Sequence, residues 1–196
     1  MTPQEPPVGE KGIDLVRQAL KSQYHASLAT LRQAIEKCPD ELWASDDYLN
    51  PFWRIAYHSL YFLHLYIQPH VSDFCPWEHH QEGVQDMDDY PSPPEIEALF
   101  TPHDRPKYVD KVYSRAELLA YADFCEEMID DAVDVLDLLS PESGFVWYKI
   151  TKIEFQFVTI RHMQHHAAQL GERLRTSSDI ELRWVGARGR KQGGGA

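Results

Sequence analysis

The sequence predicts an all-α protein, an antiparallel four-helix bundle with a long irregular connection between its second and third helices. Three observations predict it. Apolar residues recur at steps of three and four over four long stretches, the period of a single buried helix face. No segment shows a convincing alternation of period two, the mark of a half-buried strand. Prolines and capping residues stand where those stretches must begin or end. With 196 residues, of which 43% are hydrophobic, the chain is long enough to bury one proper core.

Residues 1–11 are rich in Pro and Glu and are expected to form a disordered leader; they lack the apolar run of a signal peptide. The bundle domain is expected over 12–176. Its first helix carries the stripe Ile13, Val16, Leu20, Tyr24, Leu28, Leu31 and Ile35. It should stop near Cys38, because Pro39 disfavours helical geometry in the residue before it. Asn50-Pro51 supplies a capping residue followed by proline at a first helical position, so the second helix runs from about Pro51 to Gln68, before Pro69.

Residues 69–113 read as irregular, interrupted by a short helix near Glu95 to Phe100; connections this long are usually functional or disordered. The third helix opens at Ser114-Arg115-Ala116-Glu117, a capping box. Its apolar stripe is Leu118, Ala122, Cys125, Ile129, Ala132, Leu136 and Leu139, ended by Pro141. Asp123, Glu126, Glu127, Asp130, Asp134 and Asp137 fill the opposite face, which reads as solvated. The fourth helix spans Trp147 to about Arg175, with a start blurred by β-branched residues. Residues 177–196 are expected to be an irregular segment, with a mobile, basic, glycine-rich tail from Arg188 onward.

A formal net charge of -12 argues against nucleic acid and against an anionic membrane surface, both of which require clustered Lys and Arg. Cys38, Cys75 and Cys125 are odd in number and lack CxxC spacing, so they read as free thiols in a reducing compartment. No run approaches the roughly 18 apolar residues of a membrane span, and a cytoplasmic protein is expected.

The histidines carry the chemistry. His162 and His166 are four apart in the fourth helix, so they stack on one face and can share a metal ion. A helical wheel places them with Phe155, Thr159 and Leu170, and places His58 with Ile55, Tyr61, Phe62 and Leu65 on the buried side of the second helix. His64 falls on the reverse side and His165 on the charged face near Glu154, Arg161 and Glu172. His79, His80 and His103 lie in the long connection and read as solvated. Cys75, beside Pro76 and Trp77, has no neighbour in sequence that would lower its pKa. Three imidazoles from two helices leave open coordination positions, the pattern of a working metal rather than a structural one.

Two familiar chemistries fail. A zincin needs His-Glu-x-x-His, and the glutamate position here is Met163. Ferritin-like di-iron bundles need Glu-x-x-His pairs, and no Glu in this chain has a His three residues later. A mononuclear, histidine-rich site remains.

Asn50-Pro51-Phe52-Trp53-Arg54-Ile55-Ala56-Tyr57-His58, Arg161-His162-Met163-Gln164-His165-His166-Ala167-Ala168-Gln169-Leu170 and Pro39-Asp40-Glu41-Leu42-Trp43 resemble segments of the DinB/YfiT-like superfamily of metalloenzymes. The resemblance spans about Gly12 to Arg175 and is poor in the long connection and the tail. It implies a four-helix bundle holding one divalent metal, often nickel or zinc, on His58, His162 and His166, and it implies a homodimer. Members of known activity include transferases and isomerases that use mycothiol or bacillithiol. The expected function is therefore a metal-dependent transferase acting with a low-molecular-weight thiol (glutathione, mycothiol or bacillithiol) on a small-molecule substrate. A metal-dependent hydrolase and a non-catalytic metal-binding or interaction bundle are the alternatives.

Overall fold

The structure, a computed structural model, describes residues 8–87 and 111–188. Five α-helices and one 3-10 turn follow in order: α1 Val8–Lys37, α2 Asp40–Trp43, α3 Phe52–Tyr66, the 3-10 turn Val71–Asp73, α4 Arg115–Val135 and α5 Lys152–Ser178. Among the described residues there is no strand. None of the described helices is long and apolar enough to cross a membrane. The helix expected near Glu95 to Phe100 and His103 lie outside the described residues.

α1 begins at Val8, inside the stretch whose composition reads as a leader, and ends one residue before Cys38. Its expected stripe is the buried one: Leu20, Tyr24, Leu28, Leu31 and Ile35 are all at most 2% exposed, with Ile13 and Val16 packed at the margin. Pro39 opens the single-turn α2, which drives Leu42 and Trp43 into the core. Trp43 Nε1 donates to the Tyr113 carbonyl at 2.8 Å, so the end of the long connection is tied to α2.

α1 packs against both α4 and α5, α3 packs against the same two helices, and α1 and α3 barely meet. α4 has the capping box that its sequence predicts: Ser114 Oγ accepts from Glu117 N–H at 3.2 Å, and Glu117 Oε2 accepts from Ser114 N–H at 2.8 Å. That helix is shorter than its apolar pattern suggests. It ends at Val135 rather than near Pro141, Leu136 turns inward as the C-cap, and Leu139 is 74% exposed rather than part of the stripe.

The start of the fourth long helix is also corrected. Residues 147–151 are turn and coil, and α5 starts at Lys152, where Thr151 Oγ1 accepts from Glu154 N–H at 3.3 Å. Lys152 is buried, and its ammonium donates to the Pro69 and Ser143 carbonyls, joining the two connections that flank this end of the molecule. Phe145, Phe155, Leu65 and Tyr66 form a second, smaller core there.

Asp179, at φ 53°, reverses the chain after α5. Residues 180–188 then run back over α1: Lys37 and Gln33 hold the main chain at Glu181 and Arg183, and Gln23 holds Gly186. Gly171 admits this return path, since a Cβ there would meet Leu182 at 3.0 Å. Arg188, the first residue of the expected mobile tail, pairs with Asp130 at 2.8 Å.

Candidate metal centre

Two buried helix faces supply the site. On α3, His58 belongs to a run in which Ile55, Ala56, Tyr57, Ser59 and Leu60 are all fully buried, so its ring is directed inward by the packing around it. On α5, Thr159, Met163, His166, Ala167 and Leu170 form the buried side, with His162 at its margin. Because α3 and α5 pack together, the three imidazoles meet.

They meet through the same atom of each ring. His162 Nε2 is 3.1 Å from His58 Nε2 and 3.1 Å from His166 Nε2. One ligand atom from each histidine lies within 4.8 Å of the other two. No Cys, Asp or Glu joins this group among the described residues. His165, which is exposed, and His64, which is buried on the far face of α3, both lie outside it, as the wheel separates them.

The outer nitrogens determine what the inner ones can do. His58 Nδ1 is 2.6 Å from the main-chain carbonyl oxygen of Gln85, which can only accept. The hydrogen must therefore sit on Nδ1, leaving Nε2 as a bare lone pair. His166 Nδ1 lies 3.1 Å from Gln169 Oε1, and with the amide in this orientation the consequence for its own Nε2 is the same. His162 Nε2 thus faces two lone pairs at contact distance, and a single hydrogen on it can satisfy only one. A cation satisfies all three. His162 Nδ1 is buried with no hydrogen-bond partner among the described residues.

Electrostatics keep the His58 and His162 rings neutral. Burial, then His166 and His162 beside it, hold the pKa of His58 well below the ordinary imidazole value. Burial, then His166 and His165, push that of His162 down to about 3. Neutral imidazole is the form that binds metal. Two nitrogens at about 2.0–2.1 Å from one zinc ion stand about 3 Å apart, so the observed spacing fits a shared ion. Phe62 closes one side, its ring centroid 4.6 Å from that of His58 and 5.6 Å from that of His162.

Other histidines differ from their expected settings. His64 is on the far face of α3 but buried, with Nδ1 3.1 Å from the Tyr121 hydroxyl, and burial lowers its pKa to about 4. His80 is half-buried rather than solvated, its Nδ1 2.6 Å from the Tyr57 hydroxyl. His79 is exposed, as expected of a loop histidine. His25, which periodicity does not single out, is 4% exposed between Glu126 and Asp130 of α4. The outer-shell glutamines divide in the same way. Gln169 is legible as the end of a His-x-x-Gln spacing that puts it one turn beyond His166, whereas nothing in the sequence marks Gln85.

Cys38, Cys75 and Cys125 are all free. Cys38 and Cys125 are buried, and burial raises both thiols, Cys38 to about 12, so neither is a thiolate near neutrality. No protein-family model, curated protein or solved structure matches the chain.

Proposed function

We propose that this chain is a DinB/YfiT-like metal-dependent transferase: an antiparallel four-helix bundle that binds one divalent transition metal on His58, His162 and His166 and uses it on a low-molecular-weight thiol. The observation that carries the metal assignment is the pair of bare Nε2 lone pairs, on His58 and His166, held against a third imidazole nitrogen at 3.1 Å. The packing of α1 and α3 each against α4 and α5 suits the bundle. An all-imidazole donor set suits zinc and nickel among the borderline metals. The three free cysteines suit a reducing, cytoplasmic compartment.

A divalent ion held there supplies Lewis acidity, which favours the deprotonated form of a thiol or of water. The residues around it favour the thiol. Imidazole binds a metal as an uncharged donor, and among the described residues no carboxylate or cysteine joins the three, so the ion's charge would stay undiminished and attract an anion. Hydrolysis calls for a nearby group to move a proton to the leaving atom, and among the described residues no carboxylate belongs to the ligand group while Phe62 packs against two of its rings.

The test is conjugation of monochlorobimane to glutathione, mycothiol or bacillithiol by tag-free, zinc- or nickel-loaded protein. Conjugation that needs the metal, disappears in His166→Ala and persists in Cys75→Ser is the expected result. Metal-dependent ester or amide hydrolysis without any thiol requirement would place the activity with the hydrolases. A stoichiometrically bound metal with neither activity would leave a binding protein.

A further inference from the structure

We infer that the turn at Gly83 is a positioning device for the metal centre, coupling the connection after α3 to the bound ion; this rests on the metal reading proposed above. The three candidate ligands have unequal outer shells. His166 is oriented by Gln169 of its own helix, and His162 Nδ1 has no partner among the described residues. His58 is oriented from another part of the chain, by the Gln85 carbonyl at 2.6 Å.

That carbonyl is delivered by a built turn. Gly83 has φ 88°, the left-handed region that a side chain disfavours. Its N–H donates to Gln85 Oε1 at 3.0 Å, Val84 N–H to the Gln81 carbonyl at 3.3 Å, and Asp86 N–H to the Gly83 carbonyl at 3.4 Å. Buried Val84 and Met87 fasten the turn to the main core. At its upstream end, Gln81 N–H donates to the Tyr113 hydroxyl at 3.1 Å. Moving Gly83 therefore moves an acceptor whose target is the Nδ1–H of a ligand.

Coupling follows from the chemistry of the ring. Coordination at Nε2 withdraws electron density and makes Nδ1–H a stronger donor, so the bond to Gln85 tightens when an ion is held. By reciprocity, the formed turn strengthens ion binding by the same factor. A lost outer-shell partner typically weakens metal affinity by about 10–100-fold.

Zinc titration of the tag-free full chain against a chromogenic chelator tests this. Gly83→Ala is expected to weaken zinc binding by about 10-fold or more. Gly83→Asn should recover part of the loss, because Asn tolerates the left-handed region. Helical circular dichroism of both variants reports whether they fold. Two wild-type measurements decide the matter should Gly83→Ala fail to fold. Zinc should slow hydrogen exchange at the Val84 and Asp86 amides, and the nitrogen spectrum of metal-free protein should place the His58 hydrogen on Nδ1. A folded Gly83→Ala with unchanged affinity, exchange indifferent to zinc, or a hydrogen on His58 Nε2 would overturn the coupling while leaving zinc binding in place. Wild-type protein that takes up no zinc would instead overturn the metal reading and the coupling with it.

Discussion

The His58–His162–His166 cluster and the His25 site are both buried imidazole sites, and their surroundings are opposite. In the first, nitrogens face nitrogens at 3.1 Å and, among the described residues, no carboxylate joins the group. In the second, His25 Nδ1 lies 2.7 Å from Glu126 and Nε2 2.9 Å from Asp130, and the Arg188 guanidinium also pairs with Asp130. Ionised carboxylates only accept, so both His25 bonds form together when the ring carries both hydrogens. The cluster instead sets three imidazole Nε2 atoms against one another. Burial of a histidine therefore indicates little by itself; the atoms facing its two nitrogens separate a candidate metal ligand from a carboxylate-bound clamp.

The sharpest way to break this contrast is to delete one member of each site. His166→Ala should lower metal affinity by more than about 100-fold, beyond the loss of an outer-shell partner. His25→Ala should retain a full complement of metal, as should His165→Ala. Equilibrium dialysis followed by elemental analysis measures all three.

Acid comes next in size. The folded-state pKa of His162 is lowered to about 3 and that of His64 to about 4, while the unfolded imidazoles keep their ordinary value near 6.5. Between those limits the unfolded chain binds more protons than the folded one, so stability of the metal-free protein falls as the pH drops below about 6.5. The fall continues through about 4 for His64 and about 3 for His162. Each group contributes at most about 1.4 kcal/mol per pH unit inside its window. Urea denaturation from pH 7 to 4 reads it, and a flat profile would contradict the neutral, buried state of these rings.

His25→Ala should destabilise by roughly 1–3 kcal/mol, through lost charge-assisted hydrogen bonds and a small cavity. Arg188→Ala should cost less, at most about 1 kcal/mol, because its ion pair with Asp130 is half-exposed. Equal losses in the two variants would mean that the return segment, rather than His25, holds α1 to α4.

Much of the frame was legible in the sequence because it rests on local chemistry. The α1 stripe, the Ser114 capping box and the shared face of His162 and His166 each follow from spacing alone. The ends of α4 and α5 were not, since Leu139 and residues 147–151 continue an apolar pattern without continuing the helix. The acidic face of α4 shows a second limit. It is exposed as expected, yet Asp123 binds Arg32 and Asp134 binds Lys21, partners more than 90 residues away along the chain. Gln85 and His25 carry no mark in the sequence for the same reason, because their roles depend on groups that only packing brings near.

X-ray absorption of the ion taken up by tag-free wild-type protein tests the central claim most directly. The expected spectrum shows one zinc or nickel per chain with the multiple scattering of three imidazoles, no sulfur from Cys38, Cys75 or Cys125, and light-atom ligands in the remaining positions. A chain that takes up no transition metal, or an ion whose neighbours include no imidazole, would contradict it.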